Sequence, residues 1–113
     1  MPVLKLQSKI VPDDRQSLIH DMSDMLSELL QKPEQYVMVI WEEADILFAG
    51  KRDPCLYAEL KRIGLPENQT SELSKALCTF LENRLNIQSD RIYIEFTNVE
   101  RHLLGWNGQT FSR

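Results

Sequence analysis

The sequence lacks the features that mark nucleic-acid-binding and membrane-spanning proteins. No run of lysine and arginine occurs in its 113 residues and the formal net charge is -4, so general binding to nucleic acid or to an anionic membrane is not expected. No apolar stretch approaches the ~20 residues that cross a bilayer, and no positive-then-apolar segment marks a signal peptide. These absences predict a cytoplasmic protein, with secretion independent of a signal peptide left open.

Cysteine and histidine are also scarce. Cys55 and Cys78 form no CxxC motif, and His20 and His102 are isolated from them and from each other. A disulfide framework and a zinc site are therefore not expected. Both cysteines are predicted to be reduced thiols and both histidines to lie on the surface, and no metal or other cofactor is predicted.

The composition that is present is ordinary for a globular protein, with 42% hydrophobic and 27% charged residues. The length predicts one domain over residues 1–113. A chain of this size buries little more than ~60% of its unfolded surface, so assembly into an oligomer is a natural supplement. Small molecules and other proteins are the expected partners.

Apolar periodicity predicts the order strand, helix, strand twice. The first unit has a strand over residues 3–8, an amphipathic helix that begins after Pro12-Asp13-Asp14, and a buried strand over 36–41. The second has a strand over 56–63, a helix with leucines at helical spacing from Leu73 to Leu85, and a strand over 91–96. Residues 42–53 are predicted to be a loop with a brief strand at 46–48.

The second unit follows the first with a shift of about 56 residues, and this repeat predicts the fold class. Two right-handed βαβ units most economically form one four-stranded sheet with both helices on one face, an α+β fold of the ferredoxin-like kind. The other face needs a cover, which is predicted to be further copies of the chain in a closed cyclic oligomer. A monomer with a water-facing sheet is the alternative, but strand 36–41 is too apolar for it.

Pro2 directly follows the initiator methionine and is a candidate catalytic base. Removal of Met1, which is usual before a small residue, would leave Pro2 with a free secondary amine at the start of the first strand. An α-amino group has a pKa near ~8, and burial lowers that pKa, so the amine could act as a neutral base. The rigid ring would also aim the lone pair. A proline without chemical function is the alternative.

Seven short motifs occur in order along nearly the whole chain: Met1-Pro2, Lys32-Pro33-Glu34-Gln35-Tyr36-Val37, Phe48-Ala49-Gly50, Asp53-Pro54-Cys55, Ile63-Gly64, Asp90-Arg91-Ile92-Tyr93-Ile94 and Gly105-Trp106-Asn107-Gly108-Gln109-Thr110-Phe111. In this order they resemble the tautomerase superfamily, specifically its macrophage migration inhibitory factor and D-dopachrome tautomerase branch. The resemblance implies a homotrimer of βαβ repeats with three active sites at subunit boundaries. It also implies cofactor-independent keto-enol tautomerisation of small molecules such as phenylpyruvate or dopachrome.

The resemblance also implies roles for individual residues. Pro2 is the catalytic base, Lys32 binds the substrate oxygen or carboxylate, and Ile63 contributes a backbone contact. Tyr93 donates a hydrogen bond from the neighbouring subunit, and an apolar wall comes from Leu104, Trp106 and Phe111. Alternatives remain from the residues alone, since Lys32 could complement a helix C-terminus and Tyr93, Trp106 and Phe111 could be packing residues.

A second function class stays open beside the enzyme. Animal members of this branch also act as cytokines, so the chain could be a cytokine-like or other protein-binding module, with a protein receptor as partner and a vestigial pocket. A pocket can bind without turnover, and the sequence does not separate the two readings.

Three residues depart from the family pattern. Cys55 lacks the second cysteine of a CxxC, so thiol-disulfide activity is not expected. Arg62 replaces a small serine near the mouth of the predicted site, and Glu95 replaces an asparagine. A carboxylate at position 95 would raise the pKa of the Pro2 amine and repel anionic substrates, unless it pairs with Arg62 or Lys32.

Overall fold

A computed structural model describes residues 1–112, so the predicted domain is described except for its last residue, 113. Its regular elements in chain order are β1 (Val3–Ser8), α1 (Arg15–Leu30), β2 (Met38–Glu43), β3 (Leu56–Ile63), α2 (Thr70–Leu85), β4 (Ile92–Val99), β5 (Gly105–Trp106) and β6 (Gln109–Thr110). Short 3-10 turns lie at Glu34–Tyr36, Glu67–Gln69, Ser89–Arg91 and Arg101–Leu103. The first six elements form the two predicted strand-helix-strand units.

One sheet joins both units, with the strand order β2-β1-β3-β4. The two strands of each unit are parallel neighbours, as a βαβ crossover requires, whereas β1 and β3 pair antiparallel at the centre. The predicted α+β fold of tandem βαβ repeats is therefore confirmed.

The hydrophobic core lies between the sheet and the helices. Alternate residues of the two central strands are buried, including Leu4 and Leu6 of β1 and Leu60 of β3, because successive side chains of a strand point to opposite faces. Met22 of α1 and Leu77 of α2 are equally buried and belong to the same cluster. Both helices therefore cover one face of the sheet, and truncating such a leucine to alanine costs about 2–5 kcal/mol.

Both helices end with a residue in the left-handed conformation. Gln31 follows α1 with a φ of 54°, and Asn86 follows α2 with a φ of 58°. A left-handed residue at this position ends a helix by letting the chain turn back onto its last carbonyls. At the start of α1, the Asp14 side chain accepts a hydrogen bond of 3.0 Å from the Ser17 N–H, as an N-cap does. No helix formed by residues 1–112 is long and apolar enough to cross a membrane.

The strand predicted over 36–41 differs from the structure in place and in burial. Tyr36 lies in a 3-10 turn, because its N–H donates to the Pro33 carbonyl at 3.0 Å, and β2 begins at Met38. The strand is at an edge of the sheet, and Met38 is 56% exposed. The apolar run is therefore only partly buried within one chain, with Val37, Val39 and Trp41 packed against the core.

The loop between β2 and β3 contains less strand than predicted. Phe48 and Lys51 form a single antiparallel bridge rather than a strand at 46–48. Ala49 and Gly50, with φ of 56° and 71°, make the tight turn between them.

The cysteines and histidines lie as predicted. Cys55 is buried, Cys78 is half-buried, and both are free. His20 and His102 are exposed, and Nε2 of His102 lies 3.4 Å from a carboxylate oxygen of Glu100.

Candidate active site

The amino-terminal end of the chain is held in place by strand pairing on both sides. Pro2 is fully buried, and its carbonyl accepts a hydrogen bond of 3.0 Å from the Met38 N–H. The next residue, Val3, pairs with Met38 of β2 and with Lys61 of β3. Because β1 is a central strand, residues 1 and 2 have a fixed position at one end of the sheet.

The end of α1 fixes the backbone of Lys32. The N–H of Gln31 donates to the Glu28 carbonyl at 3.3 Å, and the N–H of Lys32 donates to the Ser27 carbonyl at 3.1 Å. This pair of hydrogen bonds is a Schellman motif. The Ser27 hydroxyl also donates to the Lys32 carbonyl at 2.5 Å. Lys32 therefore projects from a rigid helix end rather than from a free loop.

A hairpin near the carboxyl end brings two aromatic rings together. Strands β5 and β6 pair antiparallel, and Asn107 and Gly108 form the turn with φ of 55° and 76°. Positive φ at both central residues is the geometry of a type I′ turn, for which Asn-Gly is favoured. Trp106 and Phe111, on either side of the hairpin, stack with ring centroids 6.1 Å apart and an interplanar angle of 18°.

Tyr36 extends this aromatic wall from the other half of the chain. Its ring meets that of Trp106 edge-on, with centroids 5.9 Å apart and an interplanar angle of 76°. The backbone N–H of Phe111 donates to the carbonyls of Arg101 and Leu104, at 3.2 and 3.3 Å, which ties the hairpin to the 3-10 turn after β4.

These elements enclose a cavity of about 260 Å³ at the amino terminus, lined by Met1, Lys32, Pro33, Tyr36, Ile63, Arg101, Trp106 and Phe111. Two of these side chains are cations and three are aromatic, and no carboxylate from residues 1–112 lines the cavity. It is therefore suited to a small anion that carries a flat or apolar body.

The terminal amine lies in this cationic environment. Burial lowers the pKa of the Met1 amine from its ordinary value, and the nearby charges of Lys32, Arg62 and Arg101 lower it further. Both causes disfavour a positive charge at the amine. An amine at this place is thus more readily neutral, and able to accept a proton, than an exposed one.

The structure brings together four of the predicted site residues in this cavity, namely Lys32, Ile63, Trp106 and Phe111. Pro2 is buried directly behind Met1, and Met1 lines the cavity in its place. Leu104 does not line the cavity of the single chain, and its observed contribution is the carbonyl that holds the Phe111 N–H.

Tyr93 and Glu95 lie elsewhere in the same chain. The Tyr93 ring packs on Phe48, with centroids 4.7 Å apart, and lines a separate cavity of about 440 Å³. Although that cavity is larger, neither the terminal amine nor any lysine or arginine among residues 1–112 lines it, so the cavity at Met1 is the better candidate for proton transfer. Glu95 Oε1 accepts a hydrogen bond from the Tyr57 hydroxyl.

The strand register shows why Tyr93 is remote from its own amino terminus. Val3 pairs with Lys61, which pairs with Thr97, whereas Tyr93 pairs with Tyr57. Four residues of β4 separate the two levels, which is about 13 Å along a strand. A Tyr93 hydroxyl can therefore act at a Pro2 site only if it comes from another copy of the chain.

Besides Met1 and Pro33, two lining residues are not predicted as site residues from the sequence, Tyr36 and Arg101. Tyr36 was assigned to a buried strand, although it stands four residues after Lys32 in the same motif. Arg101 lies beyond the strand predicted over 91–96. The signal that could have indicated it is an arginine four residues before Gly105 of the carboxyl-terminal motif. Both depend on the 3-10 turns that precede β2 and follow β4.

A tandem βαβ fold with a cationic, aromatic-lined pocket at its amino terminus defines a narrow class of protein, and comparison with known proteins identifies it. The family model described as macrophage migration inhibitory factor matches residues 1–112. The chain belongs to the macrophage migration inhibitory factor family, which confirms the resemblance in its sequence.

Individual relatives are similar to this chain over nearly its full length. A macrophage migration inhibitory factor from Xenopus tropicalis is 31% identical, with 99% of this chain and 100% of the relative covered. The crystal structure of a homologue from Prochlorococcus marinus is 40% identical, with a TM-score of 0.91 over 97% of this chain and 99% of that one. The structure from Trichinella spiralis is 28% identical, with the same TM-score of 0.91 over 96% and 99%.

Proposed function

We propose that this protein is a cofactor-independent keto-enol tautomerase that uses the amine of Pro2 as general base, after removal of Met1. The observation that carries the proposal is the convergence of the terminal amine, Lys32 and the aromatic wall on one cavity. Membership of the family supports it, because the tautomerase superfamily includes this branch.

The reaction moves one proton and needs no redox partner. The Pro2 nitrogen takes a proton from the carbon next to the substrate carbonyl. The electron pair of that C–H bond forms the new C=C bond, and the π pair of the carbonyl moves onto its oxygen. The ammonium then returns a proton to that oxygen, which gives the enol. A base with a lowered pKa suits both steps, since it accepts and releases the proton near neutral pH.

Lys32 and the walls position the substrate. The Lys32 ammonium stabilises the charge that develops on the oxygen, or binds a carboxylate beside it, from a backbone that does not have to rearrange. Trp106 and Phe111 bind the apolar body of the substrate, Leu104 positions Phe111, and Ile63 supplies a backbone contact.

We further propose that the active protein is a homotrimer in which Tyr93 and Glu95 reach the site from a neighbouring subunit. Two observations support this. Within one chain Tyr93 lies about 13 Å along β4 from the level of Val3, the residue after Pro2. Met38, Leu47 and Tyr93 are exposed apolar or aromatic residues, at 56%, 66% and 65%. Such residues are typical of a surface covered by further copies. Both cysteines are free, which suits a reducing compartment, and we propose a cytoplasmic location on that ground.

The test measures phenylpyruvate tautomerisation together with the mass of the amino terminus. One alanine inserted between Met1 and Pro2 turns the ring nitrogen into an amide and displaces the terminal amine by about 3.5 Å. We expect a loss of at least ~100-fold in kcat/KM, the scale of a general base. Pro2→Gly is the matched control, because it keeps a free amine at the correct place and should retain part of the activity. Full activity in the insertion variant would refute the mechanism.

A protein-binding module is the second candidate, and one observation favours it. When Met1 is present, it lines the cavity and the nitrogen of Pro2 is an amide, which cannot act as a base. If mass spectrometry shows Met1 retained in the native protein and no tautomerisation occurs, the pocket serves a binding partner instead.

A further inference from the structure

The cavity at Met1 contains more positive charge than one carboxylate needs. Lys32 and Arg101 line it, and Arg62 directly precedes the lining residue Ile63. The chain as a whole has a formal net charge of -4. The cationic character is therefore a property of this place and does not follow from the composition.

None of these three cations forms an ion pair within residues 1–112. The ion pairs there are Lys5 with Glu59, Lys9 with Asp45, Arg84 with Asp21, and His102 with Glu100. Glu100 is adjacent to Arg101 in sequence, yet its carboxylate lies within ion-pair distance of His102. Like charges gathered without a counter-ion repel one another, so an anionic ligand would be stabilised here.

Backbone carbonyls orient both guanidinium groups. Nη1 of Arg101 donates to the Phe111 carbonyl at 3.5 Å, and Nε of Arg62 donates to the Ile63 carbonyl at 3.3 Å. Both acceptors belong to residues that line the cavity. A guanidinium has five N–H donors, so a single backbone contact leaves most of its capacity for a carboxylate, which it can bind with two parallel hydrogen bonds.

Lys32 and Arg101 come from different parts of the fold. Lys32 is half-buried at the end of α1, whereas Arg101 is exposed and begins the 3-10 turn after β4, beside the aromatic wall. Lys32 is thus the inner cation and Arg101 the outer one. Two cations from different parts of the fold, in a cavity that three aromatic rings also line, suit a ligand with two anionic groups and a flat body.

We propose that the preferred substrate is a 2-oxo acid with a second, distal carboxylate, in which Lys32 binds the oxo-acid end and Arg101, assisted by Arg62, binds the distal carboxylate. This inference rests on the proposed tautomerase function and names the substrate class of the same site. In a trimer, Glu95 of a neighbouring copy is the carboxylate that could compete for Arg101.

The experiment compares phenylpyruvate with its para-carboxy derivative, two substrates that differ only in the distal carboxylate. We expect kcat/KM to be about 10-fold higher for the dicarboxylate at low salt, the scale of a charge-assisted hydrogen bond, and the preference to shrink as salt screens it. Arg101→Met should remove that preference mainly through KM, while phenylpyruvate turnover falls by a smaller factor. Arg101→Lys should restore part of it.

The control variant is Lys75→Met, which removes an exposed cation of α2 and should leave the preference for the dicarboxylate unchanged. Equal kcat/KM for the two substrates, or a preference that survives in Arg101→Met, would overturn the inference. If neither compound is turned over although Pro2 is free, the tautomerase proposal fails. In that case, titration calorimetry of the same two compounds tests the inference by affinity. The dicarboxylate should bind the wild type about 10-fold more tightly than phenylpyruvate, and Arg101→Met should remove that difference.

Discussion

The hydroxyl of Tyr57 donates a hydrogen bond of 2.6 Å to Oε1 of Glu95 across the parallel pair β3 and β4. Loss of the proton would place two negative charges together and remove this hydrogen bond. The bond, with smaller contributions from desolvation and from the charges of Glu59 and Glu95, raises the pKa of Tyr57 to about 12. The pKa of Tyr57 therefore depends on its hydrogen bond to the Glu95 carboxylate.

We expect Glu95→Gln to return the pKa of Tyr57 toward the ordinary value near ~10. The ultraviolet absorbance of tyrosinate, followed through an alkaline titration, measures this change, and Glu72→Gln on the exposed side of α2 is the control. Because folding raises the pKa of Tyr57, its contribution to stability is full below that ordinary value and is lost as the pH rises toward 12. An unchanged alkaline titration in Glu95→Gln would show that the hydrogen bond does not form in solution.

A second prediction concerns the charge of Glu95 at a neighbouring site. If this carboxylate faces the Pro2 amine of another subunit, it raises the pKa of that amine and repels an anionic substrate. Glu95→Asn should then move the acid limb of the kcat/KM profile to lower pH and raise kcat/KM for phenylpyruvate several-fold. An acid limb that does not move would mean that the Glu95 charge does not affect the pKa of the Pro2 amine. The hydrogen bond from Tyr57 to Glu95 is consistent with that outcome.

A third prediction tests the cations that surround the amine. Arg62 lowers the pKa of the terminal amine, so Arg62→Gln should raise that pKa and move the acid limb to higher pH. This shift is opposite in sign to the one expected for Glu95→Asn. Lys61→Gln is the matched control, because Lys61 is the preceding residue on the opposite face of β3 and does not contribute to the pKa of the amine. Equal shifts in the two variants would indicate a general loss of charge instead.

The proposed sharing of sites between subunits predicts recovery of activity on mixing. Pro2→Gly and Tyr93→Phe subunits each damage one half of a site, and in a closed trimer a mixed boundary can carry both intact halves. Unfolding and refolding the two variants together at equal concentration should place an intact Pro2 beside an intact Tyr93 in about one quarter of the sites. Light scattering should give three copies per particle. Activity of the mixture that never exceeds the mean of the two separate variants would contradict a shared site.

The left-handed residue at the end of α1 gives a stability prediction. Gln31 has a φ of 54°, which costs a residue with a Cβ more than it costs glycine. Gln31→Gly should therefore raise the free energy of unfolding by roughly 0.5–1 kcal/mol. The matched control is Gln16→Gly within α1, which should lower it by a similar amount. Urea denaturation measures both changes, and the same sign in both variants would show that the backbone conformation at Gln31 is not the cause.

Much of the fold could be predicted because apolar spacing reports which residues are buried by the chain itself. The strands that begin at Val3 and Leu56 and the leucine-rich faces of both helices follow directly from that spacing. The strand predicted over 36–41 begins later, at Met38, because a 3-10 turn occupies Glu34–Tyr36, and its apolar residues are only partly buried within one chain. Apolar spacing records that residues are covered, but it does not say which molecule covers them.

The candidate site was predicted only in part, for two physical reasons. Lys32, Trp106 and Phe111 occur in motifs, and rigid local structures hold them, a Schellman motif and a type I′ hairpin. Arg101 reaches the cavity through a 3-10 turn that apolar periodicity does not register. The role of Tyr93 as a donor from the neighbouring subunit stays a prediction, since its distance from Pro2 of another copy depends on how copies of the chain assemble.

Met1 and Phe111 line the same cavity, so two distant parts of the chain meet at the pocket mouth. An affinity tag or fluorescent protein fused at the amino end would block the amine, and one fused after Phe111 would crowd the aromatic wall. Either fusion could make an active protein look inert, or make a binding partner seem to be lost. A small dye attached at Lys75, on the exposed side of α2, would leave both parts of the mouth untouched and is the safer handle for work in cells.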